Sequence, residues 1–393
     1  MAPTVQSFDE QLPAILAGIE QLVRCESPSG DLAAVARSAD VVSHLGASVL
    51  GLDPERIVLD GRTHLRWHFG TGPRRLLLLG HHDTVWPLGS LDAHPFSVHD
   101  GVLRGPGCLD MKSGLVMAFH AIAALEDTDG ITLLVTGDEE LGSPSSRGLI
   151  EAEAVGCRAA LVLEAAGAGG ALKSERKGVS LYRIEVHGCP AHAGLEPENG
   201  VNATLEAAHQ VLAVAQLADA TTGTTVTPTV LTVGTTTNTV PARGTFAVDV
   251  RVPDAGEQDR VDAAMHALRP VLDGAELKVT GGPNRPPLAA NASADLFDRA
   301  ALLATSLGLG PLTALAVGGA SDGNFTAGVG TPTLDGLGAV GAGAHADDEH
   351  VVVSELAART ALLSALIGDL LRADRPTTQA VKGSRLGCAR DQG

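Results

Sequence analysis

Four consecutive leucines, Leu76 to Leu79, run into Gly80-His81-His82-Asp83-Thr84-Val85. An uninterrupted apolar run of this length, closed by glycine, reads as a strand buried on both faces, the habit of parallel sheets covered by helices. Ligands gather outside the carboxyl ends of such strands in open α/β sheets, so His81 and Asp83 stand at the expected mouth of a site. A strand that merely ends in two histidines accounts equally well for this hexapeptide taken alone. Further apolar segments, Ile131–Thr136, Ala159–Leu163, Thr313–Val317 and Pro332–Leu337, alternate with helical patterns. Two helices, Phe8–Cys25 and Leu32–Leu45, precede them around the Pro28-Ser-Gly-Asp turn. The alternation predicts an α/β fold, a mixed and mostly parallel sheet with helices on both faces.

One segment breaks that rhythm. From Val179 to about Gly281 the order is strand (Ser180–Val186), helix (Gly200–Leu217), strand (Val226–Val233), strand (Thr245–Val252), helix (Glu257–Leu272) and strand (Glu276–Thr280). This β-α-β-β-α-β order is ferredoxin-like. The expected organisation is a discontinuous first domain, 1–178 and 285–372, interrupted by an inserted α+β domain, 179–284. The insert is entered near Lys177-Gly178 and left through a Gly281-Gly-Pro-Asn-Arg-Pro-Pro loop. The tail, 373–393, lacks periodicity and is expected to be disordered.

A formal net charge of −18 argues against nucleic acid and anionic membrane as partners, because both call for a basic face. The N-terminus has neither a basic n-region nor an apolar h-region, and no stretch reaches the ~18 apolar residues of a membrane span, so a cytoplasmic location is expected. The five cysteines are scattered without paired spacing, which fits reduced thiols rather than a zinc-thiolate site. Any metal must therefore use nitrogen and oxygen ligands.

Such ligands recur at strand ends. Gly105-Pro-Gly-Cys-Leu-Asp110 runs into a helical pattern, where Asp110 is a candidate ligand or an ordinary N-cap. Asp138-Glu139-Glu140 follows the strand Ile131–Thr136, and three adjacent carboxylates repel one another unless a cation sits among them. Glu164 ends the next strand, and His345 lies in the glycine-rich loop Gly341-Ala-Gly-Ala-His. His81, Asp110, Glu140, Glu164 and His345 make a mixed imidazole and carboxylate set suited to zinc or a similar ion. Five ligands exceed one tetrahedral ion and suit two ions about 3.5–4 Å apart sharing a carboxylate. Glu139 is then left over, unligated, as a general base would be.

Gly-His-x-Asp-Thr-Val, Gly-Pro-Gly-x-x-Asp-Met-Lys-Ser-Gly, Gly-Asp-Glu-Glu-x-Gly, a strand-end Glu, Ala191-His192-Ala-Gly and a late loop His occur in that order over nearly the whole chain. The series resembles the M20 family of di-zinc peptidases and amidohydrolases, and most its glutamate carboxypeptidase (carboxypeptidase G2-like) branch. The resemblance implies two divalent ions, zinc foremost, with cobalt or manganese as substitutes. His81 and Glu164 would hold one and Glu140 and His345 the other, with Asp110 bridging. Asp83 would orient His81, leaving His82 structural. It further implies a homodimer joined through the insert, in which His192 reaches the partner's site and stabilises an oxyanion.

Asn238 and Arg251 match the family's carboxylate clamp, Arg251 through its planar fork; a strand-face salt bridge to Asp249 is the alternative for Arg251. The loop Gly318-Gly-Ala-Ser321-Asp322-Gly resembles one that lines the substrate cleft. The implied activity is hydrolysis of an amide that releases an amino acid with a free α-carboxylate, Glu139 moving the proton. Lys173, Arg176 and Lys177 lean the leaving residue toward glutamate. Two further readings stand beside it: an N-acyl-amino-acid amidohydrolase of aminoacylase or desuccinylase type, and a metal-binding protein without turnover.

Overall fold

Leu76–His81 lies inside a six-stranded sheet ordered Glu55–Leu59, Arg62–His68, Ile131–Thr136, Leu76–His81, Ala159–Val162, Thr333–Leu334. The structure, a computed structural model, describes residues 4–372; the expected disordered tail lies outside the described residues. The last four strands of the sheet run parallel, and the first two form an antiparallel hairpin on its edge. The leucine run divides its side chains between two faces, as strand geometry requires. Leu76 and Leu78 enter the larger core with residues of the helices Leu12–Val23, Ser113–Ala123 and Leu356–Arg372. Leu77 and Leu79 enter a smaller one with Ile150, Ala154 and Phe325 on the opposite face. All six residues of the strand are buried. The fold class is therefore α/β with a mostly parallel sheet covered on both faces. Among the described residues, no helix is long and apolar enough to cross a membrane.

Three elements depart from the sequence reading. Thr313–Val317 is not part of the main sheet; Ala314–Val317 pairs in parallel with Leu172–Arg176 in a separate two-stranded sheet, where its first three residues are exposed. Pro332–Leu337 contributes only Thr333–Leu334 at the sheet edge. The hairpin Glu55–His68 was not anticipated, since its strands are rich in charged and polar residues. Its signal was Asp60-Gly61, both with positive φ (50° and 78°), the backbone that a tight hairpin turn demands.

The segment between Lys177 and Pro286 builds its own antiparallel sheet, ordered Thr225–Val233, Arg243–Val252, Gly178–His187, Glu276–Arg285. The helices Ala203–Ala215 and Ala255–His266 pack on it around a core that includes Ile184, Phe246, Val248, Val261 and Met265. Its last strand continues through Gly281-Gly-Pro283 to Arg285, where an exit loop was expected. Glycine and proline are tolerated there because the strand is an edge, with one side needing no backbone partner. This extension carries Arg285 to the main sheet.

The close packing of helix Ser113–Ala123 on the strand ends gives a stability test. A Cβ on Gly114 would stand 2.2 Å from the Leu163 carbonyl oxygen, whereas one on Gly148, in helix Arg147–Ala154, meets nothing within 4 Å. Gly114→Ala should destabilise the metal-free protein by roughly 2 kcal/mol through overpacking. Gly148→Ala should stabilise it by about 0.5 kcal/mol through lost unfolded-state freedom. Urea denaturation of both variants checks the contrast.

Candidate active site

Three parts of the cluster sit where parallel strands of the main sheet give way to the next segment, and Asp110 and His345, expected at strand ends of the same sheet, are brought to them by loops of a separate antiparallel sheet. His81 is the last residue of its strand, Glu164 lies just beyond Ala159–Val162, and Glu139 and Glu140 form a short turn after Ile131–Thr136. Asp110 arrives through a tight loop in which Gly107 takes φ 69°, and a Cβ there would meet Thr84 at 2.5 Å. The N-cap alternative for Asp110 fails, because helix Ser113–Ala123 begins after Lys112 with no side-chain cap. His345 comes from the loop before strand His350–Val352, itself with φ 65°.

His81 Nε2 lies 3.2 Å from Asp110 Oδ1 and 3.6 Å from Glu164 Oε1. His345 Nε2 lies 3.2 Å from Asp110 Oδ2 and 3.2 Å from Glu140 Oε2. Asp110 thus offers one oxygen to each of two three-group sets, His81–Asp110–Glu164 and Asp110–Glu140–His345, whose atoms lie within 4.8 Å of one another. Glu140 Oε1 is buried with no hydrogen-bond partner, an acceptor that a cation would satisfy. Nitrogen and carboxylate donors without thiolates suit zinc or a comparable divalent ion.

The electrostatics point the same way. Burial opposes a charged Asp110, yet His345 and His81 hold its carboxyl far below the usual carboxylate range. Hydrogen bonds to Asp110 and Glu140 push His345 up to about 10. Burial alone would lower His81, but Asp110, Asp83 and Glu164 raise it well above its ordinary value.

The surrounding residues refine several expectations. His81 Nδ1 is 3.0 Å from the Asp83 carbonyl oxygen and 3.4 Å from its carboxylate, leaving Nε2 for the site. The Asp83 carboxylate accepts the backbone N–H groups of Glu139 and Glu140, both at 3.3 Å, so it holds the acidic turn as well as the histidine. His82 is buried, with Nε2 3.0 Å from the Thr63 carbonyl and burial pushing it down to about 4. Glu139 belongs to neither three-group set; burial drives its carboxyl well above the ordinary range, partly opposed by Arg285. Arg285 Nη2 donates to Glu139 Oε1 at 2.9 Å and to Asp322 Oδ1 at 2.9 Å.

Arg285 escaped the sequence reading because Asn-Arg-Pro-Pro looked like loop, and its role depends on the unforeseen strand extension. The Gly318–Gly323 loop divides its work: Gly319 and Ala320 line the cleft, while Asp322 is buried under Arg285.

A cavity of about 530 Å³ opens over the acids, with Lys173, Arg176, Arg251 and Arg285 on its walls. Arg176 is engaged by Asp335 at 2.7 Å. Arg251 lies on Asp249 through Nε and Nη2, both at 2.8 Å, so its two-pronged face is turned to that strand neighbour, the alternative held open for it. Lys177 points its amine at the Gly223 carbonyl, away from the cavity lining.

Asn238 and Arg251 do not meet within one chain. Asn238 accepts from Ala193 N–H beside His192, where Ala191–His192 pairs with Thr239–Val240. That strand pair lies at the Arg243 end of strand Arg243–Val252, and Arg251 at the other, about 27 Å away at ~3.4 Å per residue. His192 is exposed and does not line the cavity.

Residues 77–369 match the model of peptidase family M20/M25/M40, and the chain belongs to this family. It is 31% identical over 382 residues to carboxypeptidase G2 from Pseudomonas sp. (strain RS-16), covering 93% of this chain and 91% of that protein. It is 29% identical to succinyl-diaminopimelate desuccinylase from Methylorubrum extorquens (strain PA1), covering 90% and 97%. In fold it resembles an M20 family metallo-carboxypeptidase from Sulfolobus solfataricus, with a TM-score of 0.69 at 16% identity over 92% of this chain and 99% of that one. The protein is thus a hydrolase of a family whose members bind divalent metals, typically zinc.

Metal uptake should therefore displace protons, since ligating imidazoles must be neutral. Titrating the metal-free protein with zinc near pH 7 in buffers of different ionisation enthalpy should reveal net proton release. The affinity should rise with pH, because the raised folded-state values of His81 and His345 mean that protons compete below them.

Proposed function

We propose that this protein hydrolyses the amide bond of an acylated amino acid or short peptide, releasing an amino acid with a free α-carboxylate, glutamate foremost. The observation that carries this reading is the pair of ligand sets sharing Asp110, with the unshared Glu139 beside them in a cleft walled by cations. His81, Asp110 and Glu164 would hold one divalent ion, and Asp110, Glu140 and His345 the other. Ions held there supply Lewis-acid polarisation of a carbonyl oxygen and a lowered pKa for water, toward about 7. Glu139 takes the proton from the attacking water and returns it to the leaving amine. Its carboxylate is positioned for this by Arg285 and by the Asp83-anchored turn.

For the α-carboxylate we assign Arg251, which reaches it by exchanging Asp249 for the ligand. Lys173 lines the cleft and forms no ion pair among the described residues, which supports an acidic side chain on the released residue. The desuccinylase relatives favour a second reading, in which the acyl group rather than the amino acid is the acidic part. An intact Glu139 speaks against a metal-binding protein without turnover.

A panel of N-acylated glutamate, glutamine, alanine and diaminopimelate substrates, assayed with zinc and cobalt, separates these readings. Preference for glutamate that disappears in Lys173→Met supports the first. Equal rates across leaving groups, with selection for a succinyl group, would replace it by the second. Glu139→Gln should keep both metals and lose about 10² to 10⁴-fold in kcat, the usual share of a general base. Metal analysis beside kinetics decides it, because loss of a metal equivalent would make Glu139 a ligand.

The inserted unit is assigned as the dimer contact. Its edge strand Thr225–Val233 exposes Val230 (71%), and helix Ala203–Ala215 exposes Leu212 (65%), apolar surface that a second copy would cover. His192 and Asn238, remote from their own cleft, then serve the partner's. Mixing inactive Glu139→Gln and His192→Ala subunits should restore one working site per heterodimer, about a quarter of wild-type activity after random exchange. No recovery after verified exchange would place His192 outside catalysis in trans.

A further inference from the structure

Glu349, four residues past His345, carries a carboxylate that is 3% exposed and has no cationic partner among the described residues. Four N–H groups converge on it. Oε1 accepts from Leu109 N at 2.8 Å and Asp110 N at 3.1 Å; Oε2 accepts from Gly107 N at 2.9 Å and Trp86 Nε1 at 2.7 Å. Three of the donors belong to the loop that delivers Asp110, and backbone N–H groups in succession form a concave anion seat. The seat is filled here from the protein's own chain, by the loop that supplies His345.

We propose that Glu349 is a positioning residue for the metal centre, fixing the main chain around Asp110 and tying it to the His345 loop. Asp110 must present Oδ1 to the His81 set and Oδ2 to the His345 set at once, and a rotation of its backbone would spoil both. Glycines at 105 and 107 leave that backbone otherwise loose. A buried carboxylate holding Gly107, Leu109 and Asp110 removes the freedom, and because it lies on the other ligand loop it sets the spacing between Asp110 and His345. This inference rests on the metal-centre reading above.

Glu349→Gln is the informative variant, because it preserves size. With two N–H donors aimed at each oxygen, either orientation of the amide sets its own NH₂ group against a pair of them. Zinc affinity, measured by competition with a chromophoric chelator where circular dichroism shows the metal-free variant folded, should fall about 10–100-fold. The visible spectrum of the cobalt-loaded variant should change with it. Zinc affinity and a cobalt spectrum equal to wild type would overturn the proposal whatever happens to the melting temperature, since a merely structural role moves only the latter.

If Glu349→Gln does not fold, Trp86→Phe decides the matter, because it keeps the carboxylate and three main-chain donors. A smaller loss of zinc affinity supports the proposal, and an unchanged affinity overturns it. Neither measurement needs a substrate, so a wild type that binds two ions but cleaves none of the amides refutes the proposed function alone. A wild type that takes up neither zinc nor cobalt refutes both.

Discussion

Asp110, Glu139, Glu140 and Glu164 crowd the mouth of one sheet, and carboxylates held this close in a largely desolvated place cannot all stay ionised without positive charge among them. The imidazoles of His81 and His345 lie 3.2 Å from the Asp110 carboxylate, and Arg285 supplies positive charge beside Glu139 and Asp322. Much of the local structure follows from containing this repulsion. Asp83 spends its carboxylate on the backbone of the acidic turn, Arg176 is pinned by Asp335 within 3.8 Å of Glu164, and Glu349 is seated on main-chain donors. Divalent ions held by the two ligand sets would complete the neutralisation, so that affinity for metal and tolerance of the acidic cluster would share one physical cause.

The parallel sheet makes the crowding achievable. Strands with leucine and valine on both faces are fixed by two cores, which leaves little freedom in where their ends lie. His81, Glu140 and Glu164 inherit that fixity, while Asp110 and His345 come from loops and need separate restraint. The inserted sheet enters through Gly178 and returns through Arg285, so the unit that roofs the cleft is joined to the residue that pairs with Glu139. Its far end, carrying His192 and Asn238, is a strand length away from the acids it is expected to serve in a partner.

Local patterns made much of this legible. The apolar runs Leu76–Leu79 and Ile131–Thr136 mark buried strands, each closed by glycine, and His81, Glu140 and Glu164 follow within a few residues of such apolar strands. Asp110 could be read as ligand or cap, and only the placement of the helix start at Lys112 removed the second choice. The hairpin Glu55–His68 stayed hidden because polar edge strands lack a burial signal, although Asp60-Gly61 recorded its turn. Thr313–Val317 misled because apolarity over five residues does not say which sheet a strand will join.

The sequence by itself determined which residues are chemically able to form the site and that His81, Glu140 and Glu164 follow buried strands, since period and strand termination are local properties; that Asp110 and His345 arrive on loops of a separate antiparallel sheet was not legible in it. Which of them face each other, and across what distance, was decided only by tertiary structure. Arg285 reaches Glu139 because an edge strand runs on through glycine and proline, Arg251 turns to Asp249, and Asn238 is carried to the opposite end of a ten-residue strand from Arg251. Glu349 finds the Asp110 loop from some 240 positions away. Charge pairing and anion seats of this kind depend on long-range approach, which no local pattern encodes.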